Sequence, residues 1–205
     1  MSAVPFLAAA GGFAIGSVPF GWLLVRGAAG GDVRRSGSGN VGATNVLRVA
    51  GPWLALATLL LDAGKGAAAV GLACAIGPQD ALSAPVGGLA AMAGHVLMPW
   101  LGGRGGKGAA TGAGACALLA PGPLALSLAL FGVVVALTRR VSLGTLAAAL
   151  ALPAGAALLG SGSITVAAGC CSAAILFWSH RENLRRLVAG REPRIGRHDG
   201  REERT

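Results

Sequence analysis

Apolar runs alternate in this chain with short connections that hold nearly all of its basic residues. The runs are Val4–Val25, Pro52–Ile76, Pro85–Leu101, Ala109–Ala120, Leu124–Thr138, Ser142–Leu159 and Ile164–Ser179. Charged residues make up 12% of the chain, about half the share of a soluble domain. Uncharged stretches of this length belong in a bilayer. Abundant Gly and Ala suit helices that approach one another closely in lipid. The pattern predicts an all-α integral membrane protein of seven membrane helices, some of them short. Ala109–Ala120 would be about 18 Å long as a helix, less than the ~30 Å of hydrocarbon. Met1–Ala10 has no basic n-region and reads as part of a retained first helix.

The orientation follows from where the positive charge lies. With the N-terminus outside and seven crossings, the connections at 26–51, 102–107 and 138–141 and the C-terminal segment share the cytoplasmic side. They carry 16 of the 17 Lys and Arg residues, and the remaining one, Lys65, lies inside an apolar run. The opposite connections, near 77–84, 121–123 and 160–163, carry none. A wrong number of segments would mix the two sides. The predicted organisation is one membrane-embedded domain over 1–190, followed by a charged, unstructured cytoplasmic tail over 191–205.

The chemistry gathers on the basic side. The stretch 34–48 (RRSGSGNVGATNVLR) offers hydroxyls, carboxamides and guanidiniums but no carboxylate. Gly37, Gly39 and Gly42 let its backbone turn tightly and aim N–H groups inward. That suits anionic oxygens, phosphate above all. A P-loop is excluded, since G-x-x-x-x-G-K-[ST] is absent. The second Gly-rich connection, Gly105-Gly106-Lys107-Gly108, sets an ammonium among exposed N–H groups ahead of a helix N-terminus. RNA binding is rejected, because no aromatic residues interleave and the segment lies between membrane helices. Asp62 and Lys65 share a helix face at membrane depth and read as a structural pair, with an ion or proton relay as the alternative. His180 and Asn183 share a face at the end of the last helix, where His serves as acid, base or donor. His95 reads as a packing residue or one that lines the site. The four cysteines lie in apolar runs and read as small buried residues. No Cys–His pair, nucleophile elbow or metal-holding carboxylate cluster is present in the sequence. An enzyme of this composition would work by bringing phosphorylated groups together and stabilising charge.

Several motifs, in order, resemble the bacterial acyl-phosphate:glycerol-3-phosphate acyltransferase family, the PlsY type. They are GSVPFG at 16–21, GSGNVGATNVLR at 37–48, LDAGKG at 61–66, Gly94-His95, GGKGAATG at 105–112, Val141-Ser142-Leu143 and HREN at 180–183. The resemblance implies a multi-pass protein of the bacterial inner membrane with its active site facing the cytoplasm. It implies transfer of a fatty acyl group from acyl phosphate to the sn-1 hydroxyl of glycerol 3-phosphate, giving lysophosphatidic acid for phospholipid synthesis. It implies Ser38, Arg48, Lys107, His180 and Asn183 as catalytic residues. Gly37, Gly39, Asn40, Gly42, Thr44, Asn45, Gly105, Gly106, Gly108 and Ser142 would bind substrate, without cofactor or metal. Ser38 is then a phosphate-binding hydroxyl and not a covalent nucleophile. The expected partners are the two substrates, membrane lipids and the soluble enzyme that forms acyl phosphate; nucleic acid is not among them. An organophosphate transporter is the alternative from another class, and a membrane scaffold the third; a transporter calls for related halves, and the chain shows no repeat.

Overall fold

The computed structural model describes residues 2–195, and every regular element among them is helical. The helices are α1 (Val4–Gly16), α2 (Phe20–Ala29), α3 (Ala43–Ala50), α4 (Pro52–Ile76), α5 (Ser83–Leu97), α6 (Ala109–Leu119), α7 (Pro121–Thr138), α8 (Val141–Leu158), α9 (Ser163–Ser179) and α10 (Arg181–Val188). Five spans are long and apolar enough to cross a membrane: Val4–Ala29, Pro52–Ile76, Ser83–Leu101, Pro121–Thr138 and Val141–Leu158. The bent pair α9 and α10 makes a sixth if it is counted as one span. Helix α6, with 11 residues, is shorter. The expected apolar segments all appear as helices; by length and hydropathy five or six of them are long enough to cross, and α6 is the short one.

Small residues set the packing. A Cβ on Gly12 or Gly16 of α1 would run into the carbonyls of Gly87 and Ala91 on α5. Backbones therefore meet directly there, and dispersion replaces a hydrophobic drive that lipid cannot supply. Asp62 and Lys65 of α4 are both buried and form an ion pair at 2.8 Å. Lys65 Nζ also donates to the carbonyl of Val18 at 2.9 Å. That carbonyl lies in the break between α1 and α2, where Pro19 interrupts the helix. The buried lysine thus supplies a partner that the broken backbone needs at membrane depth.

Three local features depart from the sequence reading. The connection 27–51 is not a plain loop. It contains the last turn of α2, a 3-10 turn at Val33–Arg35 and the amphipathic helix α3. Val33, Val41 and Val46 are buried there with Val25, Ala55, Met98 and Leu101. This small core joins the first polar connection to the chain leading into the second.

The last helix does not run straight through His180. It stops at Ser179, and α10 leaves at 66°. The Leu176 carbonyl receives His180 N–H at 2.9 Å and His180 Nδ1 at 2.8 Å, and the Ser179 hydroxyl, 3.0 Å away, shares its one proton with the Lys107 carbonyl at 2.8 Å. Side-chain donors drawing on one carbonyl are an identifiable cause of a bend.

The charged segment after 190 does not begin as a free tail. Glu192 is only 8% exposed, and Ile195 N–H donates to the carbonyl of Arg139 at 2.8 Å. The partners of the Glu192 carboxylate lie on α8 and α10, and that of Ile195 lies between α7 and α8, so the segment folds with the domain. The remainder of the expected tail, 196–205, lies outside the described residues.

Candidate active site

The four Arg- and Lys-bearing connections meet at one end of the bundle. Val33, Val41, Met98 and Leu101 share one apolar core, which ties 30–42 to the approach to 102–108. Lys107 Nζ donates to Asn183 Oδ1 at 2.6 Å, which ties 102–108 to α10. Ser142 Oγ donates to Glu192 Oε1 at 2.6 Å, which ties the start of α8 to the segment after α10.

The first connection is held by its own side chains. Asn45 is 2% exposed, and its carboxamide is the hub. Its Oδ1 accepts the Ser38 N–H at 2.7 Å, and its Nδ2 donates to the carbonyls of Val33, Ser36 and Asn40 at 2.9 to 3.1 Å. Asn45 is therefore committed to the loop itself and does not stand as a substrate ligand, contrary to the expectation from sequence. Asn40 Oδ1 is likewise taken by the N–H of Gly42 at 2.9 Å. Arg34 is bound by Asp32, with contacts down to 2.7 Å, and that hydrogen bond holds the Asp32 carboxyl below the usual carboxylate range. Gly37 and Gly39 have φ of +61° and +69°, which only glycine adopts without strain. The polar side chains the loop leaves exposed include those of Arg35, Ser36, Ser38, Thr44 and Arg48. The Ser38 hydroxyl makes no hydrogen bond among the described residues, so it is free to donate to an anion.

The second connection is shaped by His95. A Cβ on Gly106 would overlap the His95 Nε2, and one on Gly105 would overlap the carbonyls of His95 and Val96. Gly106 N–H donates to the His95 carbonyl at 3.0 Å. These two glycines serve close packing of the loop on α5. Gly108, with φ +84°, turns the chain into α6. Lys107 alone projects into the site. Its amine is pushed down to about 8, chiefly by burial; the Glu192 carboxylate opposes this, while Arg186 and Arg48 add to it. Arg48 thus acts electrostatically on Lys107 although the two come from different connections.

The third contribution comes from the end of the bundle. His180 is buried, and Nδ1 must carry the proton it gives to the Leu176 carbonyl, since a carbonyl only accepts. Nε2 remains as the chemically available nitrogen. Asn183 is also buried, but both of its polar atoms are engaged, with Lys107 and with Glu192. Asn183 therefore acts on the site through Lys107. Ser142 donates to Glu192 and not toward open solvent. Sequence reasoning missed Glu192 because its charged neighbours gave the segment the look of a solvated tail.

An all-helical membrane bundle with phosphate-suited loops, a shared lysine and a buried imidazole at one end defines a class: a membrane enzyme working on anionic substrates beside lipid. The family model described as glycerol-3-phosphate acyltransferase matches residues 6–190, and the chain belongs to that family. Among its relatives is a glycerol-3-phosphate acyltransferase of Synechococcus sp. (strain CC9902), 47% identical over 90% of this chain and 92% of the relative. Another, from Agrobacterium fabrum (strain C58 / ATCC 33970), is 48% identical over 93% of this chain and 91% of its own. The fold matches a crystal structure of PlsY (YgiH), an integral membrane glycerol 3-phosphate acyltransferase, in its glycerol 3-phosphate form. The TM-score is 0.87 at 30% identity, over 94% of this chain and 96% of that one. The lysophosphatidic acid form of PlsY matches with TM-score 0.85 at 29% identity, over 94% of this chain and 95% of that one. The protein is thus a multi-pass membrane acyltransferase of lipid biosynthesis.

Proposed function

We propose that this acyltransferase moves a fatty acyl group from acyl phosphate to the sn-1 hydroxyl of glycerol 3-phosphate. The products are lysophosphatidic acid and inorganic phosphate. The observation that carries the reading is the Lys107–Asn183 hydrogen bond, with Arg48 near enough to depress the Lys107 amine. It gathers cations from three connections at one end of an apolar bundle. An acyl chain can stay in lipid there while two phosphates meet. The acyltransferase relatives, and a neighbour of known structure in glycerol 3-phosphate and lysophosphatidic acid forms, support the same chemistry.

Acyl phosphate is a mixed anhydride, and its phosphate is a good leaving group. The glycerol hydroxyl oxygen bonds to the acyl carbonyl carbon. The bond from that carbon to the phosphate oxygen breaks, and the departing phosphate keeps the electron pair and takes the hydroxyl proton. Lys107 and Arg48 stabilise the charge that grows on the phosphate and weaken repulsion between the two anionic substrates. Ser38 donates its hydroxyl to the donor phosphate, and the His180 Nε2 orients glycerol 3-phosphate. Asn183 keeps Lys107 in place. The positive charge at this end supports a place on the cytoplasmic face of the bacterial inner membrane, within reach of a soluble enzyme that supplies acyl phosphate.

The test is purified protein in detergent with synthetic acyl phosphate and glycerol 3-phosphate. Lysophosphatidic acid is expected from acyl phosphate and not from an acyl thioester. No product above a protein-free control refutes the assignment of donor.

A further inference from the structure

Glu192 lies outside every motif that marks the site, yet its carboxylate sits among the site's polar groups. Oε1 accepts from Ser142 Oγ and from Asn183 Nδ2, each at 2.6 Å, and Oε2 accepts from Arg186 Nε at 2.8 Å. Burial alone would raise this carboxyl, but the hydrogen bonds from Ser142, Asn183 and Arg186 outweigh it and hold the group below its usual range. It stays an anion throughout the neutral range.

A carboxylate only accepts and an ammonium only donates. With Nδ2 on Glu192, the Asn183 amide has one orientation that satisfies both neighbours, and it places Oδ1 on Lys107 Nζ. We propose that Glu192 is a positioning residue for acyl transfer: it orients the Asn183 carboxamide and so aims the Lys107 ammonium at the anion site. This rests on the reading of Lys107 as the residue that holds substrate phosphate. The carboxylate is not the segment's sole anchor. Arg191 N–H donates to the Arg186 carbonyl at 2.8 Å, and Ile195 N–H to the Arg139 carbonyl at 2.8 Å, so backbone bonds pin it at both ends.

The charged groups acting on Lys107 are Glu192, Arg186 and Arg48. Lys107 in turn acts on His180, whose Nδ1 is bound to the Leu176 carbonyl. Glu192 is the one anion among them. Removing its charge leaves a buried amine facing cations, which favours the neutral form. Removing Arg186 does the reverse.

The two lysines of the chain are Lys65 and Lys107, so competitive labelling with acetic anhydride, read by mass spectrometry, follows Lys107 directly. It needs no substrate. The wild-type midpoint is expected near about 8. Glu192→Gln should move it down by about one pH unit, and Glu192→Asp, which keeps the charge, should move it back. Arg186→Gln should move it up. The alkaline limb of kcat/KM should follow each midpoint, whereas a purely structural role lowers the rate equally at every pH. Folding is checked by gel filtration. If Glu192→Gln does not fold, Arg186→Gln decides: an upward shift supports the proposal and an unmoved midpoint overturns it. Unmoved midpoints in both folded variants also overturn it. Shifted midpoints in a protein that makes no lysophosphatidic acid would refute the donor assignment and leave the placement of Glu192 standing.

Discussion

Asn45 offers the sharpest check on how the first site loop is built. Asn45→Asp keeps an acceptor for the Ser38 N–H but replaces the Nδ2 donors with a second oxygen. That oxygen faces the carbonyls of Val33, Ser36 and Asn40. The Nδ2 group has two protons to share among its three carbonyl contacts, and each lost hydrogen bond is worth about 1 kcal/mol net, so the loss is roughly 2 kcal/mol before repulsion is counted. For a chain of this size about 1 kcal/mol moves Tm by roughly 2–4 °C, which gives a drop of roughly 4–8 °C. The introduced carboxyl, buried against carbonyls, should have a folded pKa above its unfolded one. Protonation restores one donor. The deficit is therefore smallest at acid pH and full above the folded pKa. Differential scanning fluorimetry in detergent across pH 4–8 measures this directly, with acyl transfer read in parallel. A residue acting only as a ligand would instead weaken substrate binding and leave Tm unchanged. Unchanged Tm with weakened binding refutes the assignment of Asn45 to the loop's own framework.

Three other expectations follow from the site and its supports. Lys107→Ala should lower kcat by about 10²–10³-fold in a protein that still folds, and in the wild type the rate should fall as pH rises through about 8, where Lys107 loses its charge; a rate flat across that range rules out the ammonium. Lys65→Met leaves Asp62 buried without its cation and Val18 without a donor, so a loss of about 3–5 kcal/mol is expected from chemical or thermal unfolding. Gly106→Ala sets a methyl against the His95 ring, so turnover should drop while Lys107→Ala in the same background adds little; independent, additive losses would show that the loop does not move as a unit.

The site was legible in parts. Of the three glycines read as tight-turn positions, Gly37 and Gly39 adopt the left-handed backbone, while Gly42, with φ −79°, is extended. Lys107 and Asn183, 76 residues apart, were both singled out by local pattern, and they meet. Roles were harder to read than positions. Asn45 and Ser142 look like ligands because a polar side chain beside glycines has the same local appearance whether it faces substrate or its own fold. Glu192 was overlooked for the converse reason. Among arginines, a glutamate reads as solvated, and nothing nearby signals that Ser142, 50 residues earlier, will donate to it.

By itself the sequence determined that the protein lives in a membrane, that its helices pack through small residues and that its basic connections share one side. These follow from hydropathy and charge counted along the chain, and the bilayer reads such quantities locally. Tertiary structure alone decided the bend at His180, the use of Lys65 to satisfy Val18 and the Arg186–Glu192–Asn183–Lys107 chain. Each depends on a hydrogen bond whose partners are joined only by packing, and a buried donor or acceptor reveals its role only when its partner is in place.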